Sequence, residues 1–377
     1  MAESARLVDL IQAELTLFID SREPALVAIS PVLAPFVDFA RDLVGGGKRF
    51  RALFCYWGWQ AASGHSTHFD SFPDAAVQSS RVSDLSSVVL AASALEMFHA
   101  AALVHDDIMD RSDTRRGLPS VHRRFEQLHS AGRWIGNSST FGQSGGLLLG
   151  DLLLGWSDEL FDQGIQTINS SQAGPAAREQ FNRMRTEVTA GQYLDIHDES
   201  AWQHFPEADL LDRAHRVIIY KSAKYSIEAP LAIGAALGGA TETQLSALRR
   251  FGLPLGIAYQ LRDDLLGVFG DPAITGKPSG DDLREGKRTV LIAIARSALA
   301  SNSRSLLDEL LGDPELTAEQ VHMLQATVRA SGAVDEVEMI ITQNVELART
   351  ALVDAPISRS AREQLLILAS AVTQRTA

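Results

Sequence analysis

The chain is poor in cysteine and in basic residues, and both shortages exclude classes of protein. Cys55 is the single cysteine among 377 residues, so the chain can form neither an intramolecular disulfide nor a cysteine-based zinc site. Lys and Arg number 34 against 47 Asp and Glu, which gives a net charge of -13. This balance argues against a nucleic-acid partner, which requires a basic surface, so any bound phosphate must meet a local cluster of cations or metal.

Targeting and membrane-spanning signals are also lacking. Residues 1–4 do not begin a basic and then apolar leader, and we expect a cytoplasmic protein. The most apolar stretch, residues 88–104, is interrupted by Ser93, Glu96 and His99 and falls short of the span that a membrane helix requires. It predicts a buried core helix and no integral membrane segment. The sequence also lacks the motifs of nucleotide-binding loops, zinc peptidases and serine hydrolases.

The composition that remains indicates a helical fold. Aromatic residues make up only 7% of the chain, whereas hydrophobic residues make up 45%, with Ala and Leu recurring at helical spacing. We therefore predict an all-α protein. Residues 63–87 are rich in Ser, Asp and His and contain Pro73, which predicts an exposed loop. Residues 289–377 carry Leu and Ala stripes typical of amphipathic scaffold helices.

An apolar helix leads into a cluster of aspartates at Asp106, Asp107 and Asp110. Asp106 and Asp110 are four residues apart, so on a helix both carboxylates project from one face. Like charges this close repel each other unless a cation lies between them, and hard oxygen ligands suit Mg2+ when phosphates and water complete its shell. The alternative is a solvated acidic helix end. A second apolar approach, which ends in Asp263 and Asp264, favours a metal site, and we expect the two acidic helix ends to face each other across a cavity.

Cations at two places are suited to binding phosphate. Three glycines at residues 45–47 precede Lys48 and Arg51. A helix that begins here offers free N–H groups to an anion, with Lys48 and Arg51 on one face, whereas the alternative is a basic helix start at the surface. The second place is Arg115 and Arg116, because adjacent guanidinium groups near an acidic cluster suit bidentate phosphate recognition.

The order of these elements resembles the trans-prenyltransferase family, the head-to-tail isoprenyl diphosphate synthases. The match covers about residues 40–290, which we take as the catalytic core, and is far more specific than one D-D-x-x-D motif. Membership implies a single-domain helical bundle around a central cavity, over residues 1–377, and usually a homodimer. The matching elements are Gly47-Lys48-x-x-Arg51, His99, Asp106-Asp107-x-x-Asp110, Arg115-Arg116-Gly117, Gly191-Gln192, Lys221-Ser222, Gln260 with Asp263-Asp264, and Gly276-Lys277 through Gly286-Lys287.

The resemblance implies a Mg2+-dependent condensation of isopentenyl diphosphate with allylic diphosphates, with release of pyrophosphate and no protein base. Two or three Mg2+ ions are implied. Their direct ligands would be Asp106, Asp110 and Asp263, supported by Asp107 and Asp264. The residues implied to bind the allylic diphosphate are Arg115, Lys221, Ser222 in place of a usual threonine, Gln260 and Lys277. Those implied to bind isopentenyl diphosphate are Lys48, Arg51, His99 and Arg116, and Lys287 is also expected to bind substrate.

One position departs from the family pattern. The second motif has Gly267 where a third aspartate is expected. Asp271, one turn further on, can compensate only if the helix continues, which Gly270 and Pro272 oppose. If Asp263 is the main ligand the loss is mild, so we expect activity and leave the metal stoichiometry open.

Small residues before the first motif favour a C20 product, geranylgeranyl diphosphate. Ala101 and Ala102 stand where family members that stop at C15 often carry a bulky residue. Phe98 precedes Asp106 by eight residues, which is about 12 Å along a helix, whereas an isoprene unit spans about 4–5 Å. Roughly three units fit above Phe98. Trp156 is a second candidate for the floor of the cavity.

Several alternatives stay open on the sequence alone. The product could be farnesyl diphosphate or a longer polyprenyl diphosphate. A class I terpene cyclase shares the ionisation step but would lack the second diphosphate site. A non-catalytic regulatory subunit typically has one eroded acidic motif, and Gly267 is the only hint of that. His105, beside the first motif, is expected to pack or to support a ligand rather than to act as a base.

Overall fold

The protein is almost entirely helical. A computed structural model describes residues 2–63, 75–168, 170–271 and 278–373, and within these ranges the only β-structure is a short hairpin, β1 (Thr114–Arg115) with β2 (Leu118–Pro119). The predicted all-α class is confirmed. The chain forms two compact units, Met1–Glu179 with Pro230–Thr241, and Gln180–Ala229 with Glu242–Ala377. The single-domain organisation over residues 1–377 stays a prediction.

The first unit contains long helices joined by short turns. Its elements are α1 (Ala2–Ile29), a 3-10 turn (Pro31–Leu33), α2 (Ala34–Leu43), α3 (Phe50–Ser63), α4 (Ala75–Met109), the hairpin, α5 (Val121–Ala131), α6 (Ser138–Gln166), the start of α7 (Ala173–Ala201) and most of α9 (Ala229–Leu237).

Helix α4 forms the core of the first unit. It packs along α6, and both α1 and α3 pack against it. Its segment Asp84–Met109 is long and apolar enough to cross a membrane by length and composition, but 83% of its most apolar window is buried inside the protein. Side chains such as Leu95 and Met97 are fully buried. The prediction of a buried core helix over residues 88–104 is therefore confirmed.

The start of α4 corrects the loop predicted for residues 63–87. Helix α4 begins at Ala75, so residues 75–87 are helical, while residues 64–74 lie outside the described part of the chain. Neither Gly nor Pro follows Pro73 in this stretch. Ser and Asp lower helix propensity by only fractions of a kcal/mol each, so a helix that continues into a buried segment tolerates them.

The second unit is built around α10 and the C-terminal helices. Its elements are the rest of α7, 3-10 turns at Trp202–His204 and Glu207–Asp209, α8 (Leu210–Val217), a π-helical segment (Ile218–Glu228), α10 (Glu242–Phe269), α11 (Asp281–Glu285), α12 (Val290–Ala298), α13 (Ser301–Leu310), α14 (Ala318–Ala330), α15 (Ala333–Ala351) and α16 (Arg359–Thr373). Helix α10 packs against the π-helical segment and α15. The predicted C-terminal helices are thus observed up to Thr373.

Candidate active site

The first acidic motif lies at the C-terminal end of α4. The Asp110 N–H donates to the Asp106 carbonyl oxygen at 2.8 Å, so helical geometry reaches Asp110 although α4 ends at Met109. Asp106 and Asp110 therefore lie on one face, and both are partly exposed, whereas Asp107 is only 1% exposed. The motif thus presents two accessible carboxylates and one buried carboxylate.

A tight hairpin holds Arg115 against this motif. Arg116 (φ +53°) and Gly117 (φ +77°) form the two-residue loop between β1 and β2, and positive φ at both positions is typical of a type I′ turn. Arg115 Nε donates to Asp107 Oδ1 at 2.9 Å, and Arg115 Nη2 lies 3.7 Å from Asp106 Oδ2. Arg115 therefore orients the buried carboxylate and offsets part of the charge of the motif.

Several guanidinium groups surround His99 on α4. Burial lowers the pKa of His99 well below its usual value, and the positive charges of Arg51, Arg116, Arg115 and Arg49 lower it further, in that order. The imidazole is therefore neutral and can donate one hydrogen bond. An anion bound here would meet a neutral donor and several cations. The first unit thus brings together three residues predicted to bind isopentenyl diphosphate.

The glycine turn before α3 approaches Arg116. Arg116 Nη1 donates to the Gly45 carbonyl at 3.0 Å, and a Cβ on Gly47 would lie 3.3 Å from Arg116 Nη2. Gly47 has φ +91°, which favours glycine. Lys48 is exposed and precedes α3, in whose first turn Arg51 lies. The prediction that Lys48 and Arg51 share a helix face is therefore wrong, because a residue with positive φ between them interrupts the helical path.

That intervening residue, Arg49, belongs to the core of the first unit. It is 5% exposed, and its Nη1 donates to Glu96 Oε2 at 3.1 Å. Its Nη2 donates to Gln12 Oε1 at 2.7 Å and to the Val44 carbonyl. Glu96 also accepts a hydrogen bond from the Ala52 N–H at 3.2 Å. Arg49 therefore fixes the turn from which Lys48 projects.

The second acidic motif lies near the end of α10. Asp263 is exposed and Asp264 is 4% exposed. Gln260 Nε2 donates to Asp264 Oδ1 at 2.7 Å, while Asp264 Oδ2 has no hydrogen-bond partner among the described residues. The pKa of Asp264 is raised to about 7, mainly by burial; the hydrogen bond from Gln260 opposes this rise, the charges of Asp263 and Asp195 add to it, and Lys221 opposes it. A buried oxygen without a partner is costly, and a cation or an ordered water would remove that cost.

Asp195 orients two lysines of the second unit. Lys221 Nζ donates to Asp195 Oδ2, and Lys287 Nζ lies 3.5 Å from the same oxygen and 3.0 Å from Glu199 Oε1. Asp195 is 9% exposed. The sequence analysis did not identify Asp195 as a site residue. Its position four residues after Gly191, one turn along the same helix, was the available signal.

Gly191 permits a close approach between α7 and the segment that carries Lys221. A Cβ on Gly191 would lie 2.3 Å from the Lys221 backbone nitrogen. Lys221 and the buried Ser222 lie in the π-helical segment, a conformation that is frequent at functional sites. The close approach therefore fixes where along α7 Lys221 meets Asp195.

The position of the missing third aspartate is filled by another carboxylate. A Cβ on Gly267 would lie 2.0 Å from Asp282 Oδ2 and 2.3 Å from Asp282 Cγ. Helix α10 ends at Phe269, so Asp271 lies outside the helix and the condition for its compensating role is not met. Lys277 lies outside the described residues.

His105 packs against α6. Its Nε2 lies 3.3 Å from the Leu147 carbonyl oxygen and 3.5 Å from Asp151 Oδ1. A Cβ on Gly150 would lie 2.2 Å from His105 Nε2, so the ring occupies the space that this glycine leaves. This packing is one of the two roles expected for His105, and the expectation that it does not act as a base stays a prediction.

The residues predicted to set product length lie in the first unit. Phe98 and Ala101 are buried, and Ala102 is partly exposed. Trp156 is buried with its ring packed edge-on against Phe18, at 6.2 Å between ring centroids. This contact explains Trp156 as a core residue. A role of these residues in product length stays a prediction.

The acidic side chains fit Mg2+. Among the described residues, no group of three or more His, Cys, Asp or Glu side chains is placed to hold a metal by itself. Mg2+ is usually bound by one or two carboxylates, with waters and substrate phosphates as its other ligands. Asp106, Asp110 and Asp263 offer accessible carboxylates, and Asp264 has a buried oxygen without a partner. Taken separately, the carboxylates of each motif suit a hard divalent cation that arrives with a diphosphate.

Comparison with known proteins agrees with this chemistry. Residues 35–328 match the polyprenyl synthetase family. The chain belongs to that family. The resemblance drawn from the sequence motifs is confirmed, and as a polyprenyl synthetase the chain is a prenyltransferase of the trans-isoprenyl diphosphate synthase type.

Solved structures and curated relatives of this polyprenyl synthetase cover most of its length. A geranylgeranyl pyrophosphate synthase from Corynebacterium glutamicum, in complex with isoprenyl diphosphate and magnesium, has a TM-score of 0.88 and 38% identity over 98% of this chain and 99% of that chain. Geranylfarnesyl diphosphate synthase of Aeropyrum pernix is 30% identical over 75% of this chain and 81% of its own length. Geranylgeranyl diphosphate synthase of Mycobacterium tuberculosis is 28% identical over 82% of this chain and 75% of its own length.

Proposed function

We propose that this prenyltransferase condenses isopentenyl diphosphate with allylic diphosphates, in a Mg2+-dependent reaction that ends mainly at geranylgeranyl diphosphate. The observation that supports the proposal is that each unit groups several cationic side chains of its own. In the first unit, Arg49, Arg51, Arg115 and Arg116 lie near His99. In the second unit, Lys221 and Lys287 both contact Asp195. A terpene cyclase needs to bind one diphosphate, whereas a condensing enzyme must bind two.

The residues of the acidic motifs have different tasks in this proposal. Asp106, Asp110 and Asp263 would bind Mg2+ directly, because their carboxylates are accessible. Asp107 and Asp264 are buried and would act through their neighbours or through water. When bound, Mg2+ supplies positive charge that stabilises the diphosphate leaving group as the C–O bond breaks. We place the number of ions at two or three.

The cations have the task of holding the two diphosphates. Arg115, Lys221, Ser222, Gln260 and Lys277 hold the leaving group of the allylic substrate. Isopentenyl diphosphate is held by Lys48, Arg51, His99 and Arg116, so that its double bond can attack the allylic carbon. The proton lost at the end passes to the released pyrophosphate. No side chain is required as a base, which agrees with the packing role of His105.

The length of the product follows from the helix below Asp106. The small side chains of Ala101 and Ala102 would not block the growing chain, and Phe98 would be the next large side chain that it meets, about 12 Å away along α4. Three isoprene units of about 4–5 Å each reach that ring. A farnesyl chain can therefore be extended once more, whereas the C20 product is too long to bind for another condensation.

We further propose that the protein is a cytoplasmic homodimer. Large apolar side chains are exposed between α5 and the middle of α6, namely Trp134, Ile135, Phe141, Leu147 and Leu148. Exposed apolar clusters of this kind mark interaction surfaces. A second copy of the chain is the partner that this proposal requires.

A pyrophosphate-release assay tests the proposed reaction. The purified protein is given isopentenyl diphosphate, each allylic diphosphate, or both, with and without Mg2+, and the products are extracted. We expect release only with both substrates and Mg2+, and a loss of several orders of magnitude in Asp106→Ala and Asp263→Ala without loss of thermal stability. Release from an allylic diphosphate alone would identify a cyclase. No release under any condition would identify a regulatory subunit, and main products of C15 or of C30 and above would refute the C20 assignment.

A further inference from the structure

A carboxylate from outside the second acidic motif lies against it. Gly267 follows Asp263 by four residues on α10, so a side chain at position 267 would project from the same helix face as Asp263. The Cβ that glycine lacks would lie 2.0, 2.3 and 2.6 Å from Oδ2, Cγ and Oδ1 of Asp282. The carboxylate of Asp282 therefore occupies the space of the side chain that is missing from the motif.

Short-range contacts fix Asp282 in this place. It lies in the first turn of α11, and its carbonyl oxygen accepts hydrogen bonds from the N–H groups of Gly286 and Lys287, both at 3.1 Å. Leu283, the next residue, is fully buried, and its carbonyl accepts from the Gly312 N–H at 2.9 Å. Hydrogen bonds to the carbonyl groups of Asp282 and Leu283 thus anchor this backbone.

The same short helix also delivers a cation to the site. Lys287 follows α11 and lies 3.5 Å from Asp195, the carboxylate that orients Lys221. One segment therefore positions a carboxylate beside Asp263's helix face and a lysine beside Lys221. The adjacent Asp264 keeps a buried oxygen without a hydrogen-bond partner among the described residues, which marks this end of α10 as a place for a cation.

From these contacts we infer that Asp282 supplies the third carboxylate of the second Mg2+-binding motif, directly or through a metal-bound water. Gly267 is then not an eroded position. It is the position that makes room for Asp282, because an aspartate at 267 and the observed carboxylate of Asp282 cannot occupy the same volume. This inference rests on the proposed Mg2+-dependent function and assigns a residue to it.

The test exchanges the carboxylate between the two positions. The variants are Asp282→Ala, Gly267→Asp combined with Asp282→Ala, and Asp281→Ala as a matched control that removes the neighbouring charge of α11. Asp282→Asn serves as a second variant that keeps the side-chain volume. Mg2+ is titrated by calorimetry, and by the rise in melting temperature, in the presence of inorganic pyrophosphate and without prenyl substrates.

We expect Asp282→Ala and Asp282→Asn to weaken Mg2+ binding by about 10- to 100-fold, the range found when residues that support a metal site are removed. Asp281→Ala should titrate like the wild type, and the double variant should regain most of the affinity. The inference is overturned if Asp282→Ala and Asp281→Ala titrate alike, or if the double variant melts normally but binds Mg2+ as weakly as Asp282→Ala. An Asp263→Ala variant with unchanged Mg2+ binding would instead overturn the proposed function itself.

Discussion

Replacing Arg49 by Met should separate the structural cation of the glycine turn from the substrate-binding ones. Arg49 has φ +50°, a conformation that costs a non-glycine residue roughly 1–2 kcal/mol. The guanidinium must offset this strain through its bonds to Glu96, Gln12 and Val44. Removing one partner of a buried ion pair leaves the other charge buried alone, which costs about 3–5 kcal/mol. We therefore expect Arg49→Met to lower the free energy of unfolding by about that amount.

The assay is urea unfolding followed by circular dichroism, with Lys48→Met as the matched control. Lys48 is exposed, so its replacement should change the free energy of unfolding by less than about 0.5 kcal/mol while raising the KM for isopentenyl diphosphate. Combining Arg49→Met with Glu96→Gln removes both charges of the pair and should recover part of the loss. The reasoning is refuted if Arg49→Met unfolds within about 1 kcal/mol of the wild type, or if Lys48→Met is destabilised equally.

Three further predictions follow from single contacts. Gly191→Ala places a Cβ 2.3 Å from a backbone nitrogen of the π-helical segment, so it should lower turnover with allylic substrates and the melting temperature. Gly155→Ala, at an exposed position of α6 with open space around it, should leave turnover unchanged and should not lower the melting temperature, because alanine favours a helix more than glycine does. In the metal-free protein the pKa of Asp264 is about 7, above its unfolded value of about 3.9. The free energy of unfolding should therefore fall as pH rises through about 4 to 7. Urea titrations at several pH values should show this dependence in the wild type, and Asp264→Asn should remove it. Phe98→Ala should yield products of C25 and longer, measured by chromatography of the extracted lipids. Trp156→Ala should mainly lower stability, because the Trp156 ring packs on Phe18. An unchanged C20 limit in Phe98→Ala would place the floor of the product cavity elsewhere.

Local sequence spacing predicted the parts of this protein that depend on helical geometry. The pairing of Asp106 with Asp110 needs only four residues of helix, and the hydrogen bond at 2.8 Å between their backbones preserves it. The buried helix over residues 88–104 follows from its apolar composition in the same way. Helical spacing did not predict the glycine turn correctly, because Arg49 at φ +50° breaks the helix that would have aligned Lys48 with Arg51.

Tertiary contacts supplied what spacing could not. Asp195 is one of 47 acidic residues in the sequence, and only the fold shows that it meets both Lys221 and Lys287. The sequence also predicted the loss of a carboxylate at Gly267, because a glycine in the sequence shows that a side chain is missing but not which group occupies its space. Asp282 is fifteen positions away, so its carboxylate could not be assigned to that space by any helical period.

The acidic surplus of the chain and its need to bind diphosphates are compatible because buried carboxylates orient the cations. Asp107 is 1% exposed and holds Arg115, and Asp195 is 9% exposed and holds Lys221 and Lys287. A long cationic side chain that is already fixed loses less conformational entropy when a phosphate binds. Each carboxylate also lowers the cost of keeping its cation partly buried before substrate arrives. Both units therefore use a buried aspartate to fix cationic side chains, Asp107 for Arg115 and Asp195 for Lys221 and Lys287, so a negative net charge of the whole chain is compatible with local groups of oriented cations.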